Sequence, residues 1–216
     1  MISLSIWEIL PFLLLAARWT LLLSAIAFIG GGTAAILLLL LRYWRPGYGA
    51  KFVYLYIELL QGTPLLLQLF LVFFGLPLLG IEVSPLLAAG VALTLYAAAF
   101  LAEIWRGCVD AIPRGQWEAS SALGLSFLMQ MRDVILPQAL RIAVPPTVGF
   151  LVQLLKATAL SSIVGFNDLT RAGNIVTNAT FKPLLVYGLV ALIYFAMCYP
   201  LTLCARILER KLSLSR

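Results

Sequence analysis

Between Arg18 and Arg42 the chain runs for 23 residues, Trp19 to Leu41, without a single charged side chain. As an α-helix that run is about 34 Å long at 1.5 Å per residue, enough to cross the ~30 Å hydrocarbon layer of a bilayer. Inside that layer backbone N–H and C=O groups find no water, so only helices and closed barrels can span it. Its length and lack of charge make it a candidate spanning helix. Composition extends the conclusion to the whole chain. Hydrophobic residues make up 62% of the 216 and charged ones 11%. A soluble domain of that size would have to expose far more apolar surface than water tolerates. The expected fold class is an all-α integral membrane protein.

Taken in order, the remaining segments suggest about five crossings. Residues 1–18 alternate apolar residues with Ser3, Ser5 and Glu8 and are interrupted by Pro11, which predicts an interfacial N-terminal segment rather than a span. A cleavable signal is not expected there, since a basic n-region and an A-x-A site are both missing. Gly30, Gly31 and Gly32 lie midway along the first span and suit close approach of another helix; the other reading is a locally weakened helix. A second span is expected from about Phe52 into the seventies, carrying Glu58, Gln61, Gly62, Thr63, Pro64 and Gln68 on a Leu/Phe background. A third covers roughly Pro85 to Trp105. A fourth lies between Arg141 and Lys156, where only 14 uncharged residues include Pro145, Pro146, Thr147, Gly149 and Gln153. Paired prolines remove two backbone donors, so irregular backbone is expected there, packed in protein or lining a wet cavity. Asn167 to Lys182 reads as a polar loop. The fifth span is Leu184 to Ala205, with a kink expected at Pro200. The transmembrane domain is thus 19–210, and 211–216 form a tail.

Basic residues are distributed unevenly among the connections. Arg42, Arg45, Lys51, Arg106, Arg114, Arg132, Arg141, Arg206, Arg210, Lys211 and Arg216 fall on one side, while Arg18, Arg171 and Lys182 fall on the other. Eleven against three places the first set in the cytoplasm. Five crossings then put the N-terminus outside and the C-terminus inside.

One polar-containing interval of length stands apart, about residues 108–136, on the cytoplasmic side. Glu118 to Leu123 favour helix, Gly124 can adopt the left-handed conformation that ends one, and Ser126 can cap the next. Pro137 is expected to close the unit. Glu118 is read as a first-turn carboxylate that stabilises its helix. Two short helices joined at an angle would make a knob for a soluble partner to grip.

Several chemistries are excluded or disfavoured. The chain has no histidine, so imidazole triads and histidine-ligated metals are ruled out. Cys108, Cys198 and Cys204 have no metal-ligand spacing. No G-x-x-x-x-G-K-S/T loop is present, so the chain is not expected to hydrolyse ATP. The net charge of +6 is not gathered into a block, which argues for membrane orientation and against nucleic acid.

These segments closely resemble the membrane-spanning permease subunits of bacterial ABC importers, specifically the polar amino acid group. The family's E-A-A-x-x-x-G loop is matched by Glu118, Ala119 and Gly124, with Leu125 next and Ile135, Leu136 and Pro137 closing the run. E-x-x-x-G-T-P-L-x-x-Q is matched from Glu58 to Gln68, and A-E-x-x-R-G by Ala102, Glu103, Arg106 and Gly107. L-P-x-A-x-R-x-x-x-P-P is matched from Leu136 to Pro146, continuing to Lys156. The four motifs occur in order, and the resemblance covers about residues 10–210.

The resemblance implies a type I ABC importer architecture in the bacterial cytoplasmic (inner) membrane. A second permease copy or a paralogue would pair with this chain. Two ABC ATPase subunits, holding ATP and Mg, would dock beneath, and an extracytoplasmic solute-binding protein would deliver the amino acid. No cofactor is expected on this chain. Glu118, Ala119, Gly124, Leu125, Ile135 and Pro137 would form the ATPase-coupling loop. Thr63, Gln68, Thr147, Gly149, Gln153 and Lys156 are the expected substrate path, although the neutral groups among them could equally join helices. Glu58, Glu103 and Arg106 would form ion pairs that fix packing or gate movement. Lys156 could snorkel, pair with Asp168, or meet a cargo carboxylate.

The chain departs from the family pattern at Gln61, Gly149, Ala157 and Ala159, each time losing polarity. Without a carboxylate at 157 a cationic side chain lacks its obvious partner, so a neutral or acidic amino acid is expected as cargo. Alternatively the cargo site lies on a paralogous partner. A different class of function, an ATP-independent secondary transporter or channel, is disfavoured by the odd number of spans and the lack of an inverted repeat. An intramembrane enzyme is disfavoured too, since there is no histidine and no pair of acidic residues is expected at membrane depth.

Overall fold

The computed structural model describes residues 5–45 and 47–213, and among these described residues there are nine α-helices. They are α1 (Ile6–Trp44), α2 (Tyr48–Gly62), α3 (Leu65–Leu78), α4 (Pro85–Asp110), α5 (Arg114–Ala122), α6 (Phe127–Met129), α7 (Leu136–Ala157), α8 (Leu169–Thr180) and α9 (Pro183–Ser213). A wide π-helical turn, Gln130–Ile135, joins α6 to α7, and a tight 3₁₀ turn, Thr158–Ser162, follows α7. Among the described residues four segments are long and apolar enough to cross a membrane: α1, α4, α6 through the 3₁₀ turn, and α9. The α2–α3 pair passes the same test only as a unit bent by 101°.

The boundary expected at residue 18 falls inside α1. Residues 6–18 are the first third of one 39-residue helix, which is about 58 Å long. Pro11 does not break it, because its missing N–H and its ring affect only the first turn, one turn from the end. Glu8 Oε2 accepts from the Ser5 N–H at 2.8 Å and secures that end. Ile9, Leu13 and Ala17 recur every four residues and bury one stripe against Leu169, Ala172 and Val176 of α8 and Val186, Val190 and Ile193 of α9.

Farther along, α1 packs on α4, and the glycine run is where they meet. A Cβ at Gly31 would lie 2.5 Å from Ala97 Cβ and 3.1 Å from the backbone of Ala97 and Ala98. Opposite it α4 presents Ala97 and Ala98, and Ala92, Ala99 and Ala102 of the same helix are also buried. Small residues on both sides bring the two backbones into contact, as membrane helices do when burial from water cannot drive association. The central core grows from this seam, with Leu23, Val53, Leu69, Leu93, Leu101, Phe150 and Leu154 among its members.

Four other expectations need correction. The second span is not one helix, since Thr63 and Pro64 are extended and separate α2 from α3. The fourth span is regular where irregularity was expected. Pro145 and Pro146 lie inside α7, and the departures from α geometry are the turns at its two ends. Proline's fixed φ suits a helix, and the cost falls on the Arg141 and Ile142 carbonyls, which lose their i+4 donors. Pro137 does not close the knob. It sits in the first turn of α7, and the widened turn before it accommodates a ring that would otherwise strike the Asp133 carbonyl. Finally, the polar stretch 167–182 is mostly the helix α8, capped by Asp168. The α9 helix runs on through Pro200 into the tail, and Arg216 lies outside the described residues.

Candidate coupling knob and substrate path

The knob is α5, α6 and the π-helical turn. Its corner is Gly124, with φ +73°. Around it the Gly124 N–H donates to Ser121 O (2.9 Å) and the Leu125 N–H to Ser120 O (3.2 Å). This pair of bonds is the Schellman closure, and it needs a left-handed residue at the glycine position. Ser126 Oγ then caps α6 by accepting from the Met129 N–H at 3.5 Å. Gln130 Nε2 ties the two arms together, donating to Leu125 O (2.8 Å) and Ser121 Oγ (3.0 Å). Trp117 stacks on Phe127 at 6.5 Å between ring centres.

The root of the knob is apolar and closed. Ile112, Met131 and Ile135 are buried with Val109 of α4 and Ala139 of α7. Its tip is apolar and open: Leu123, Phe127, Leu128 and Met129 are at least half exposed, and Leu128 is 76% exposed. The expected coupling residues therefore divide. Glu118, Ala119 and Gly124 are exposed on the tip, Leu125 is half-buried, and Ile135 is fully buried in the root. Glu118 is the fifth residue of α5, which begins at Arg114, so it is not in the first turn. Sequence reasoning passed over Leu123, Phe127 and Leu128. Their signal was available as large apolar residues within a polar interval.

The expected path residues do not form one cluster. Gln68 is buried at the α2–α3 elbow, where its Nε2 donates to Leu60 O (2.7 Å), Thr63 Oγ1 (3.0 Å) and Thr63 O (3.1 Å). The reason is local. Pro64 has no N–H to give the carbonyl four residues back, which is Leu60, and the Gln68 amide replaces it. Thr63 Oγ1 donates to Leu59 O at 2.8 Å. The elbow is therefore braced by side chains.

On α7, Thr147 faces α4, accepting from Trp105 Nε1 at 2.9 Å and donating to Ala143 O at 2.7 Å. Gln153 Nε2 donates to Tyr96 Oη at 3.3 Å, beside the Tyr96, Phe100 and Phe150 rings. Gly149 and Lys156 face α9 instead. Lys156 enters a groove of about 520 Å3 with Tyr194, Cys198, Thr202 and Arg206 on its walls, and Gly149 joins Lys156 in an adjoining hollow of about 390 Å3.

Of the three readings offered for Lys156, pairing with Asp168 is not made among the described residues. Asp168 is fully buried as the cap of α8, accepting from the Arg171 N–H (2.9 Å) and from Tyr194 Oη (3.5 Å). Burial pushes its carboxyl above the ordinary aspartate range, against the lowering effect of the N–H it accepts. Glu103 and Arg106 do pair, through Nε–Oε2 at 3.0 Å and Nη2–Oε1 at 2.5 Å, and Arg106 also reaches Asp110 Oδ2 at 2.6 Å. All three belong to α4, so this set stiffens one helix and does not lock two together. Glu58 is exposed on α2 and stands apart from it.

The chain thus combines membrane-length apolar helices, one bent helix pair and a capped helical knob with exposed apolar side chains. Residues 27–214 match the family model described as binding-protein-dependent transport system inner membrane component, and the chain belongs to that family. It is 36% identical over 204 residues to a probable amino-acid ABC transporter permease protein, YckA, of Bacillus subtilis (strain 168), covering 94% of this chain and 90% of that one. Against the arginine transport system permease protein ArtQ of the same organism the identity is 37%, covering 94% and 93%. The glutamine transport system permease protein GlnP of Escherichia coli (strain K12) is 32% identical, with 97% of each chain covered. Among solved structures, an amino acid ABC transporter with histidines superposes with a TM-score of 0.90 at 30% identity, over 97% of this chain and all of the other. The inward-facing MetNI methionine transporter shares the fold, with a TM-score of 0.73 at 22% identity. The chain is an amino-acid ABC transporter permease.

Proposed function

We propose that this subunit carries a neutral or acidic amino acid across a bacterial inner membrane, with the knob and C-terminus in the cytoplasm and the N-terminus outside. An extracytoplasmic binding protein hands over the cargo. Two separate ATPase subunits bind ATP and Mg, and a second copy or a paralogue completes the membrane domain. This chain holds no cofactor and does no hydrolysis of its own.

One observation carries the reading: the knob is rigid at its root and apolar at its tip. Exposed Leu123, Phe127 and Leu128 suit a groove on a soluble partner, while buried Met131 and Ile135 fasten the knob to α4 and α7. A push on the tip is thus delivered to two spanning helices as a rigid-body movement. Arg42 and Arg45 at the end of α1, Arg106 near the end of α4 and Arg114 at the start of α5 belong on one side by charge. The bent α2–α3 pair must then cross the bilayer between them.

The cargo preference rests on residues of this chain, because the named arginine and glutamine systems resemble it to similar degrees. Lys156 and Arg206 meet in the α7–α9 groove, where Glu209 is the acidic lining residue, and Ala157 offers no carboxylate. Such a groove favours a carboxylate over a guanidinium or ammonium side chain.

Reconstitution with the neighbouring ATPase and binding protein should give ATP turnover that rises when the binding protein is loaded. Gly124→Val should insert normally yet abolish that stimulation, since a β-branched residue at φ +73° is strained and would open the corner. Stimulation retained in the variant would sink the coupling role.

A further inference from the structure

A separate hollow of about 300 Å3 is walled by Ile36, Leu40 and Tyr43 of α1, Trp105 of α4, and Leu140 and Ala143 of α7. Leu140 and Gly149 are nine residues apart, about two and a half turns, so they stand on opposite faces of α7. Gly149 faces α9, and the hollow therefore opens away from the α7–α9 groove. Every lining side chain is apolar apart from the Tyr43 hydroxyl and the Trp105 N–H, and the latter donates to Thr147. The rim is open, with Ile36, Leu40 and Leu140 each at least half exposed.

Length and charge identify what fits. From Ile36 to Tyr43 along α1, and from Leu136 to Ala143 along α7, the hollow extends about 10 Å at 1.5 Å per residue. That is most of one leaflet of the ~30 Å hydrocarbon layer, and only about a third of what a crossing helix of another chain would occupy. A lipid chain suits this length and a spanning helix does not. At the end nearest the knob, Tyr43 and Met131 each have an arginine beside them in the chain, Arg42 and Arg132. Arg42 makes no ion pair among the described residues, and the Arg132 side chain is 85% exposed, its Nε 3.6 Å from Asp133. The acidic residues of α4 near this end, Glu103 and Asp110, are both held by Arg106. On the orientation proposed above, this end lies at the cytoplasmic surface, where basic residues between helices draw anionic headgroups.

We propose that the hollow seats one acyl chain of an anionic phospholipid from the cytoplasmic leaflet, with the headgroup at Arg42 and Arg132. The consequence follows from shared walls. Val109, Met131 and Ala139 line the hollow and also close the root of the knob. A seated chain packs against that root, whereas an empty hollow leaves those side chains without contacts on one side. The choice of leaflet rests on the orientation proposed for the importer; the shape of the hollow and its nearby charges do not.

The test uses the purified permease–ATPase complex in detergent, supplied with equal amounts of phosphatidylglycerol and phosphatidylcholine carrying the same chains. Native mass spectrometry should find about one phosphatidylglycerol retained per permease chain, in roughly tenfold excess over phosphatidylcholine. Ala143→Leu, which fills the hollow, should weaken retention of both lipids roughly tenfold, as expected from excluding about two methylenes of the chain. Arg42→Gln combined with Arg132→Gln leaves the hollow open and should bring the two lipids level. Size-exclusion chromatography and basal ATP hydrolysis establish that each variant complex has assembled, and the glutamine pair keeps the test decisive where Ala143→Leu does not assemble. In protein whose native cysteines are replaced, Leu140→Cys carrying a photoreactive maleimide should label lipid. No retention by the wild type, equal retention of the two lipids, undiminished retention in Ala143→Leu, an unchanged preference in the glutamine pair, or label on the second permease chain in place of lipid would each overturn the seat. Uptake by the complete reconstituted importer is measured in parallel. Normal uptake with no lipid retained removes this seat alone, whereas failed uptake removes the importer reading itself.

Discussion

At the scale of single residues, the elbow is a case of one side chain replacing another residue's missing atom. Pro64 deprives Leu60 of its donor and Gln68 supplies one at 2.7 Å. The two should therefore be coupled. Gln68→Leu alone should destabilise the protein by about 1–3 kcal/mol, the cost of an unpaired buried carbonyl. In a Pro64→Ala background, where the backbone N–H returns, the same change should cost clearly less. Melting midpoints of the four proteins of the cycle measure the coupling, and strict additivity would refute it. Asp168 makes a second residue-scale prediction, with a definite sign. Its folded-state pKa lies above the unfolded value. Its contribution to stability is then fully present below about pH 3.9, the ordinary aspartate value, and is lost as pH rises through the folded pKa. Asp168→Asn keeps a capping oxygen and cannot ionise. Its melting midpoint should gain on the wild type's as pH rises through that window. A constant difference across the window would show that Asp168 titrates normally.

At the scale of elements, the α1–α4 seam decides how close the two longest-contacting helices stand. The three glycines meet α4 to different degrees: an added Cβ lies 2.5 Å from Ala97 at Gly31, 3.1 Å from Thr94 at Gly30 and 3.6 Å from Trp105 at Gly32. Alanine substitutions should rank in that order. Gly31→Ala should cost about 1–3 kcal/mol by overpacking against backbone, Gly30→Ala less because Thr94 can rotate, and Gly32→Ala close to nothing. Equal melting midpoints for all three would mean that the seam is loose. Of the two sequence readings for this run, close approach is the one the structure bears out. The same scale explains the misread elements. Pro145 and Pro146 looked like breakers, but a helix held on two sides by α4 and α9 outlasts two missing hydrogen bonds. Thr63 and Pro64 looked like an ordinary interruption in a span and instead turn the chain through 101°.

At the scale of the whole molecule, the orientation is open to a direct check. In a background where Cys108, Cys198 and Cys204 are replaced, a cysteine at Leu128 should react with a membrane-impermeant maleimide only from the cytoplasmic face, and one at Lys182 only from outside. The reverse pattern would overturn the assignment of knob and path together. Much of this architecture was legible beforehand. Uncharged runs have to be helices in a bilayer, and Gly124 followed by Ser126 spells a helix stop and a helix start. Those features depend on neighbours in the chain and on the solvent, both of which can be read locally. The sequence by itself therefore determined the helical membrane class, the corner of the knob and the family motifs. Only the tertiary structure decided that residues 6–18 belong to the first helix, that Ile135 anchors while Leu128 projects, and that Gln68 faces Leu60 while Lys156 faces α9. These outcomes depend on which helix lies alongside which, and a backbone carbonyl or a groove wall brought up by packing leaves no trace in the residue that meets it.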